Sequence, residues 1–281
     1  MTTTWVSNPN GSVHTATTGA TTTSYAYDLA GRRTQARTVT SGVTGLVVAT
    51  SWDAAGRLVG ISDSGVGGGS GSWTIQLHNP DGHAVTAVSN AVLGTHTTDT
   101  TWDTVTGVLP RINTVDLNDA AWLSLGWGTE PVKVTSTTGS QMIQTDEHAS
   151  VINTTTDPAI LAGPTSYDPY GQPDDPAALA GMGYRSAPTA HGLVTFGHRT
   201  YDPTSSQFLT QDPLNGIPGT PTITNPYHYT DNDPLNKTDP LGLSPDDCDA
   251  GIFKGFVLMD VVSSLCHSIE DGGGFGNFLA S

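Results

Sequence analysis

The chain has 281 residues, of which only 13% are charged, with 33 glycines and a formal net charge of −16. This length can bury a core as one large β domain or two smaller ones, and 36% hydrophobic residues are too many for a disordered chain. The acidic balance argues against non-specific nucleic-acid binding and against anionic membranes, because like charges repel.

Thr and Ser recur throughout, and glycines punctuate them. Thr favours strands and Gly favours turns, so the composition predicts an all-β fold. The opening residues, TTTWVSNPNGSVHTA, read as strand, turn and strand. No basic segment followed by an apolar one opens the chain as a signal peptide would. No run of about 18 apolar residues suggests a membrane span. A start inside a repeat predicts that the chain is a fragment or a truncated reading frame.

An aromatic–Asp pair, a short spacer, a Gly and often a basic residue recur along the first part of the chain. YAYDLAGRRTQ supplies Tyr27, Asp28, Gly31 and Arg32, and TSWDAAGRLVGI supplies Trp52, Asp53, Gly56 and Arg57. TTWDTVTGVLPRI supplies Trp102, Asp103 and Gly107, and TSYDPYGQP supplies Tyr167, Asp168 and Gly171 without the basic residue. NPNGSVHTA at Gly11 and NPDGHAVTAV at Gly82 are half-copies. The turn glycines Gly11, Gly31, Gly56, Gly82 and Gly107 are spaced by 20, 25, 26 and 25 residues.

Each unit predicts a hairpin. Alternation before the Asp marks a half-buried strand, which the aromatic ends on its buried face. Asp accepts turn amides, and Gly supplies the positive φ of a tight bend. The Arg then leads the return strand with its charged head outward. One hairpin cannot bury its own apolar face, so the units must stack, and a long sheet must curl or close to protect its edges. SGVGGGSGSW (Ser64–Trp73) predicts a flexible connection and has no lysine to make a phosphate loop.

These repeats resemble the YD repeats of Rhs, TcC-type toxin and teneurin proteins. In that family the repeats form a sheet that spirals into a hollow shell. The resemblance is light over residues 1–165 and stronger over 166–243. GLVTFGHRTYDPTSSQFLTQDPL (Gly192–Leu214) resembles the segment that marks the Rhs repeat-associated core. The family usually has two or three aromatics where this chain has Val194, Thr195 and Phe196, and an aromatic where it has Thr200, which predicts weaker local packing. NPYHYTDNDPLNKTDPLGL (Asn225–Leu243) then resembles the family's closing segment, which ends DPxGL.

The resemblance implies self-cleavage after the DPxGL leucine, between Leu243 and Ser244. The implied catalyst is a pair of aspartates that share one proton, as in aspartic proteases. Asp202, Asp212, Asp231, Asp233 and Asp239 lie in this segment. Asp212 and Asp239 are the preferred pair, and Asp233 is held in reserve. Arg199 matches the family's basic residue. It either orients a carboxylate or the scissile carbonyl, or simply pairs with a surface acid. Asp-Pro pairs also start turns, and Asp202-Pro203 and Asp168-Pro169 are expected to do only that.

Other chemistry is weakly marked. His14, His78, His83 and His96 show no metal-ligand spacing, and His198 and His228 read as packed or solvated residues. No metal and no cofactor is expected, and no enzyme motif other than the self-cleaving core stands out. After Leu243, SPDDCD leads into GIFKGFVLMDVVSSLCHSIED (Gly251–Asp271), whose Ile252, Phe256, Met259, Val262 and Leu265 recur at helical spacing. A short C-terminal helix follows. Cys248 and Cys266 read as unpaired thiols rather than a disulfide framework. Residues 244–281 are too few for a folded enzyme, so they read as a truncated variable toxin tip or its leading peptide.

The resemblance implies a curled β-shell that encloses and delivers a cytotoxic C-terminal peptide, secreted or held at the cell surface. The implied partners are that peptide, secretion-system or toxin-complex components, and an immunity protein. A carbohydrate- or protein-binding module using Trp5, Trp73 or Trp122, and an inactive remnant, are the alternatives.

Overall fold

The computed structural model describes residues 2–65, 71–78, 84–91, 94–103, 111–118, 120–127, 131–156, 165–174, 182–213 and 225–243. The turns at Gly82 and Gly107, Leu214, Ser244, both cysteines and the helix expected near the C-terminus lie outside them.

The fold is all-β. A 14-stranded antiparallel sheet runs in chain order, each strand paired with the next. Its strands are β1 (Thr3–Ser7), β2 (Val13–Thr18), β3 (Thr21–Tyr27), β4 (Arg33–Thr40), β5 (Val43–Trp52), β6 (Leu58–Ser64) and β7 (Gly71–His78). They continue as β8 (Ala84–Ala91), β9 (Gly94–Asp103), β10 (Arg111–Leu117), β11 (Ala120–Trp127), β12 (Pro131–Ser136), β13 (Gly139–Thr145) and β14 (Val151–Thr155). A second, 4-stranded sheet holds β15 (Thr189–Ala190), β16 (Leu193–Phe196), β17 (Arg199–Asp202) and β18 (Gln207–Phe208).

The repeat turns share one backbone plan. At Asn8, Asp28, Asp53, Asp146 and Asp168 the residue's N–H donates to the carbonyl four residues on. Its own carbonyl accepts from the amide three residues on, and all these bonds measure 2.8–3.1 Å. Asp28 Oδ1 also accepts the amides of Ala30 and Arg32 at 2.9 Å, as Asp168 Oδ1 does from Tyr170 and Gln172. The third residue after the Asp has positive φ, which Gly tolerates best. Asp146 opens a unit that the sequence pattern did not flag, because Ala149 stands at that position with φ 62°.

The arginines after the turns lie outward as expected, Arg57 more exposed than Arg32, and each pairs with its own turn aspartate. Arg32 Nε and Arg57 Nε fold back onto Asp28 and Asp53 at 2.7 Å. Burial is the largest single effect and raises both carboxyls, but the backbone and guanidinium donors together outweigh it and hold both below the usual range.

The strand-ending aromatics link successive hairpins. Tyr27 Oη donates to the Val13 carbonyl at 3.0 Å, Trp52 Nε1 to Arg33 at 2.8 Å and Trp102 Nε1 to Ala84 at 2.8 Å. Trp127 Nε1 donates to Ile112 and Tyr167 Oη to Val151, both at 2.7 Å. In each pair the acceptor lies at or beside the start of an earlier return strand, so the aromatic that ends one unit is fastened to its predecessor. Trp127 marks a further unit that lacks the aromatic–Asp signature.

The second sheet and its loops lie across the turn end of the large sheet. At the first hairpin, Val13 N donates to Gln207 Oε1 at 3.0 Å, and Gln207 Nε2 donates to the Gly11 carbonyl at 3.1 Å. At the last hairpin, Val151 N donates to the Gly183 carbonyl at 2.9 Å. A flat 14-stranded sheet would be on the order of 60 Å wide at ~4.8 Å per strand. A compact segment of the length of 182–243 has a radius of gyration of about 10 Å. One such segment touches both end hairpins only if the sheet curls around it. Leu193 and Leu209 pack with Ile61, Trp52, Leu58 and Trp73, while Met182 joins Ile112, Leu125, Val134, Ile143 and Val151.

Inside the small sheet, Phe196, Tyr201, Phe208 and Tyr229 form a buried aromatic cluster with Tyr184 and Val194. The Phe196 and Tyr229 rings stack at 5.2 Å. Of the positions expected to weaken packing, Val194 is buried in this cluster and Thr200 is buried in β17. Thr195 is exposed, so an aromatic there would gain little burial.

Candidate functional site

All four residues of β17 are buried, which is unusual for the sequence RTYD. The strand presents charge on two faces. Asp202 faces the large sheet, where Arg33 Nη1 reaches its Oδ2 at 2.5 Å and Ser205 Oγ donates to the same oxygen at 2.9 Å. Asp202 also starts the expected turn, accepting the Thr204 amide at 2.9 Å. It therefore does more than open a turn, since it binds the repeat sheet to the small one. Asp168 stays within its turn, as expected.

Arg199 faces the other way, toward the DPLGL segment. Its Nη2 lies 3.1 Å from Asp212 Oδ2 and 3.0 Å from Asp239 Oδ2. Its Nε donates to the Gly242 carbonyl, and its Nη1 to the Pro226 carbonyl at 3.4 Å. The Phe208 ring lies 3.6 Å below the guanidinium carbon. A planar fork of five donors suits this set of acceptors, and an aromatic face beneath it is favourable for a cation. Exposure is 4% at Arg199, 6% at Asp212 and 1% at Asp239, so the cluster is dry.

Each member is positioned by local structure. Asp212 follows β18, and its amide donates to the Pro226 carbonyl at 2.9 Å. Asp239 opens a turn in which Gly242 N donates to its carbonyl at 3.2 Å. Asp239 Oδ1 accepts the Leu243 amide at 2.9 Å. The segment is pinned to the β16–β17 turn by His198 N, which donates to the Leu241 carbonyl at 2.9 Å. At Gly242 the backbone has φ 66°, and an added Cβ would lie 2.5 Å from the Phe196 carbonyl oxygen. Glycine is required there by both conformation and approach.

The structure thus brings together Asp212, Asp239 and Arg199, with Leu243 held by Asp239 itself. Arg199 pairs with buried acids rather than a surface one. Asp233 lies elsewhere: its Oδ1 accepts Asn236 Nδ2 at 2.8 Å, and its carbonyl caps the 233–237 turn. Asp231 belongs to a separate network, with His228 Nε2 at 2.5 Å and Lys237 Nζ at 2.8 Å. Tyr229 is wholly buried near Asp239, and desolvation, followed by Tyr184, raises its pKa well above the ordinary tyrosine range. Two participants escaped the sequence reading. Arg33 is the second Arg of GRRTQ, and its only signal was an extra charge where one was expected. Arg185 carried no signal.

Among the described residues no cluster of His, Cys, Asp and Glu could hold a metal ion. Among them, too, no helix is long and apolar enough to cross a membrane. Of the three tryptophans considered for sugar stacking, Trp5 is 42% exposed. Trp73 is partly buried against Leu193, Leu209 and Ile61, with His191 beside its ring. The Trp122 side chain lies outside the described residues.

No protein-family model matches the chain, and no curated protein matches it. Solved structures do match. The crystal structure of TcdB2-TccC3 without its hypervariable C-terminal region is 15% identical, with a TM-score of 0.50 over 86% of this chain. A Tc holotoxin pore from Photorhabdus luminescens, with a mutation in its TccC3 component, is 17% identical, with a TM-score of 0.50 over 80% of this chain. The chain spans 15% and 13% of those two chains. At such identities the likeness establishes the fold alone: this curled sheet is built like part of a Tc toxin chain.

Proposed function

We propose that the chain is the closing part of an Rhs-type toxin shell that cuts its own backbone between Leu243 and Ser244. In this reading residues 1–165 are wall, 166–243 are the self-cleaving core, and 244–281 begin the enclosed C-terminal peptide. The shell would be secreted or held at the cell surface and would work with toxin-complex components.

The observation that carries this reading is the meeting of Asp212 and Asp239 on one nitrogen of Arg199, with Asp239 also holding the Leu243 amide. In the proposed reaction one of the two carboxylates acts ionised and the other protonated, the division of labour of an aspartate dyad. The ionised carboxylate takes a proton from water, and the water oxygen attacks the Leu243 carbonyl carbon. The protonated partner gives its proton to the Ser244 nitrogen as the C–N bond breaks. The products are a carboxylic acid at Leu243 and an amine at Ser244, which become carboxylate and ammonium by transfer of one proton. Arg199, already bonded to the adjacent Gly242 carbonyl, steadies the charge that develops on the attacked oxygen. The likeness in fold to part of TcdB2-TccC3 supports the wall of this reading, and that protein's hypervariable C-terminal region is the counterpart proposed for residues 244–281.

Purification of the whole chain tests this. The expected result is two non-covalently associated pieces, with a new N-terminus at Ser244. Asp212→Asn and Asp239→Asn should each slow the cut by about 100-fold or more, the usual contribution of a general acid or base. A wild-type chain that stays intact at full mass would sink the proposal.

A further inference from the structure

We infer that Arg185 is a positioning residue for the cut after Leu243, an inference that rests on the self-cleavage reading above. Arg185 lies outside the Asp212–Asp239–Arg199 cluster. Its Nη2 donates to the carbonyls of Pro234 at 2.6 Å and Lys237 at 3.4 Å. Those carbonyls bracket the turn capped by Asp233, in which Lys237 N donates to the Asp233 carbonyl at 3.0 Å. Asp239 follows this turn after one residue, Thr238. A clamp on Pro234 and Lys237 therefore fixes where the chain enters the site, and with it the approach of Asp239 to Arg199.

The clamp is anchored on the last hairpin of the large sheet. Arg185 N donates to Ser150 Oγ at 3.2 Å, and Arg185 Nη1 contacts His148 Nδ1 at 3.4 Å. Ser186 Oγ donates to the Ala149 carbonyl at 2.5 Å. Arg185 and Ser186 both sit at positive φ, 55° and 53°, where L residues are strained. Such conformations persist when the surroundings over-determine them, and here the β13–β14 turn supplies the restraint. The guanidinium carbon lies 5.5 Å from the Tyr184 ring centre, which keeps the fork turned toward the loop. Arg185 thus connects the wall to the cleavage loop, so the wall's last turn sets the geometry of the cut. A small displacement of a reacting group is sufficient to cost about a hundredfold in rate.

The test follows the first-order rate of the cut in the full chain, together with its melting temperature. Arg185→Ala should slow the cut about tenfold to a hundredfold. Arg185→Lys should recover much of this, because one ammonium can serve both carbonyls. Free guanidinium at low millimolar concentration should accelerate Arg185→Ala but not Asp239→Asn. A wild-type rate in Arg185→Ala would overturn the inference. So would a slow variant that neither lysine nor guanidinium restores and whose melting temperature falls in parallel. Amide exchange separates the inference from the reading beneath it. Arg185→Ala should lose protection over 234–243 while β16 and β17 keep theirs. An uncut wild-type chain would remove the reaction and Arg185's part in it, and the exchange result would then uphold or refute the clamp by itself.

Discussion

Arg33 and Asp202 form a buried ion pair at 2.5 Å that joins the second hairpin of the large sheet to the small sheet. Arg33 Nη1 also donates to Ser205 Oγ at 3.2 Å. The pair is one of the places where the large and small sheets are fixed to each other.

Removing one partner should therefore be costly. Arg33→Met or Asp202→Leu alone leaves an uncompensated buried charge and should cost about 3–5 kcal/mol. The double variant should cost clearly less than the sum, because no charge is stranded. Urea unfolding of the four chains measures this cycle. Equal, additive losses would show that the pair is not coupled.

Ala149 occupies a turn position where comparable repeat turns carry glycine, with φ 62°. Ala149→Gly should stabilise the chain by up to about 1 kcal/mol, as a Cβ in left-handed backbone is relieved. Gly242→Ala should act in the opposite direction and slow the cut, because its Cβ would strike the Phe196 carbonyl oxygen at 2.5 Å. Thermal midpoints and cleavage rates of both variants check the pair of signs.

The aromatic fasteners predict a modest, specific loss. Tyr167→Phe removes the donor to the Val151 carbonyl and should cost about 1–2 kcal/mol, the penalty of an unsatisfied buried acceptor. Tyr167 should also resist ionisation, since burial and then Asp146 push its pKa up to about 12. Alkaline difference spectra of wild type and variant would reveal this residue's step.

His191 gives a dependence on mild acid. Desolvation of its ring lowers its pKa in the folded state, against a weaker opposing pull from Asp63, although the residue as a whole stays exposed. Its contribution is fully present above the unfolded value of about 6.5 and is lost as pH falls through the lower folded value. Acidification should loosen its contact with Trp73, whose ring centre lies 6.0 Å away. His191→Asn should show a smaller drop in melting temperature between pH 8 and pH 5 than the wild type. An identical drop would exclude His191 as a source.

Much of this protein is local, and what is local was readable. The aromatic–Asp–Gly units specify hairpins because Asp28, Asp53 and Asp168 meet their amides within a few residues, and the glycines need no distant partner for their φ. Units that depart from the pattern, at Trp127 and at Asp146–Ser150, were missed because no aromatic–Asp–Gly run marks them: Asp146 meets its turn amides as the other aspartates do, but Ala149 stands where they carry glycine.

The candidate site divides in the same way. Asp212, Asp239 and Arg199 were named through a resemblance in motif order, but nothing in their spacing shows that they touch. Their meeting depends on β17 being buried on both faces, so that Arg199 reaches the DPLGL turn while Asp202 reaches Arg33. By itself the sequence determined the recurrent hairpin turns and the all-β class, since both are written in short-range patterns. Only the tertiary structure decided that one guanidinium holds both aspartates, that Asp233 stands aside, and that Arg185 ties the last hairpin of the large sheet to the loop before Asp239. Those outcomes rest on long-range burial and on a limited set of donors, which no local pattern encodes.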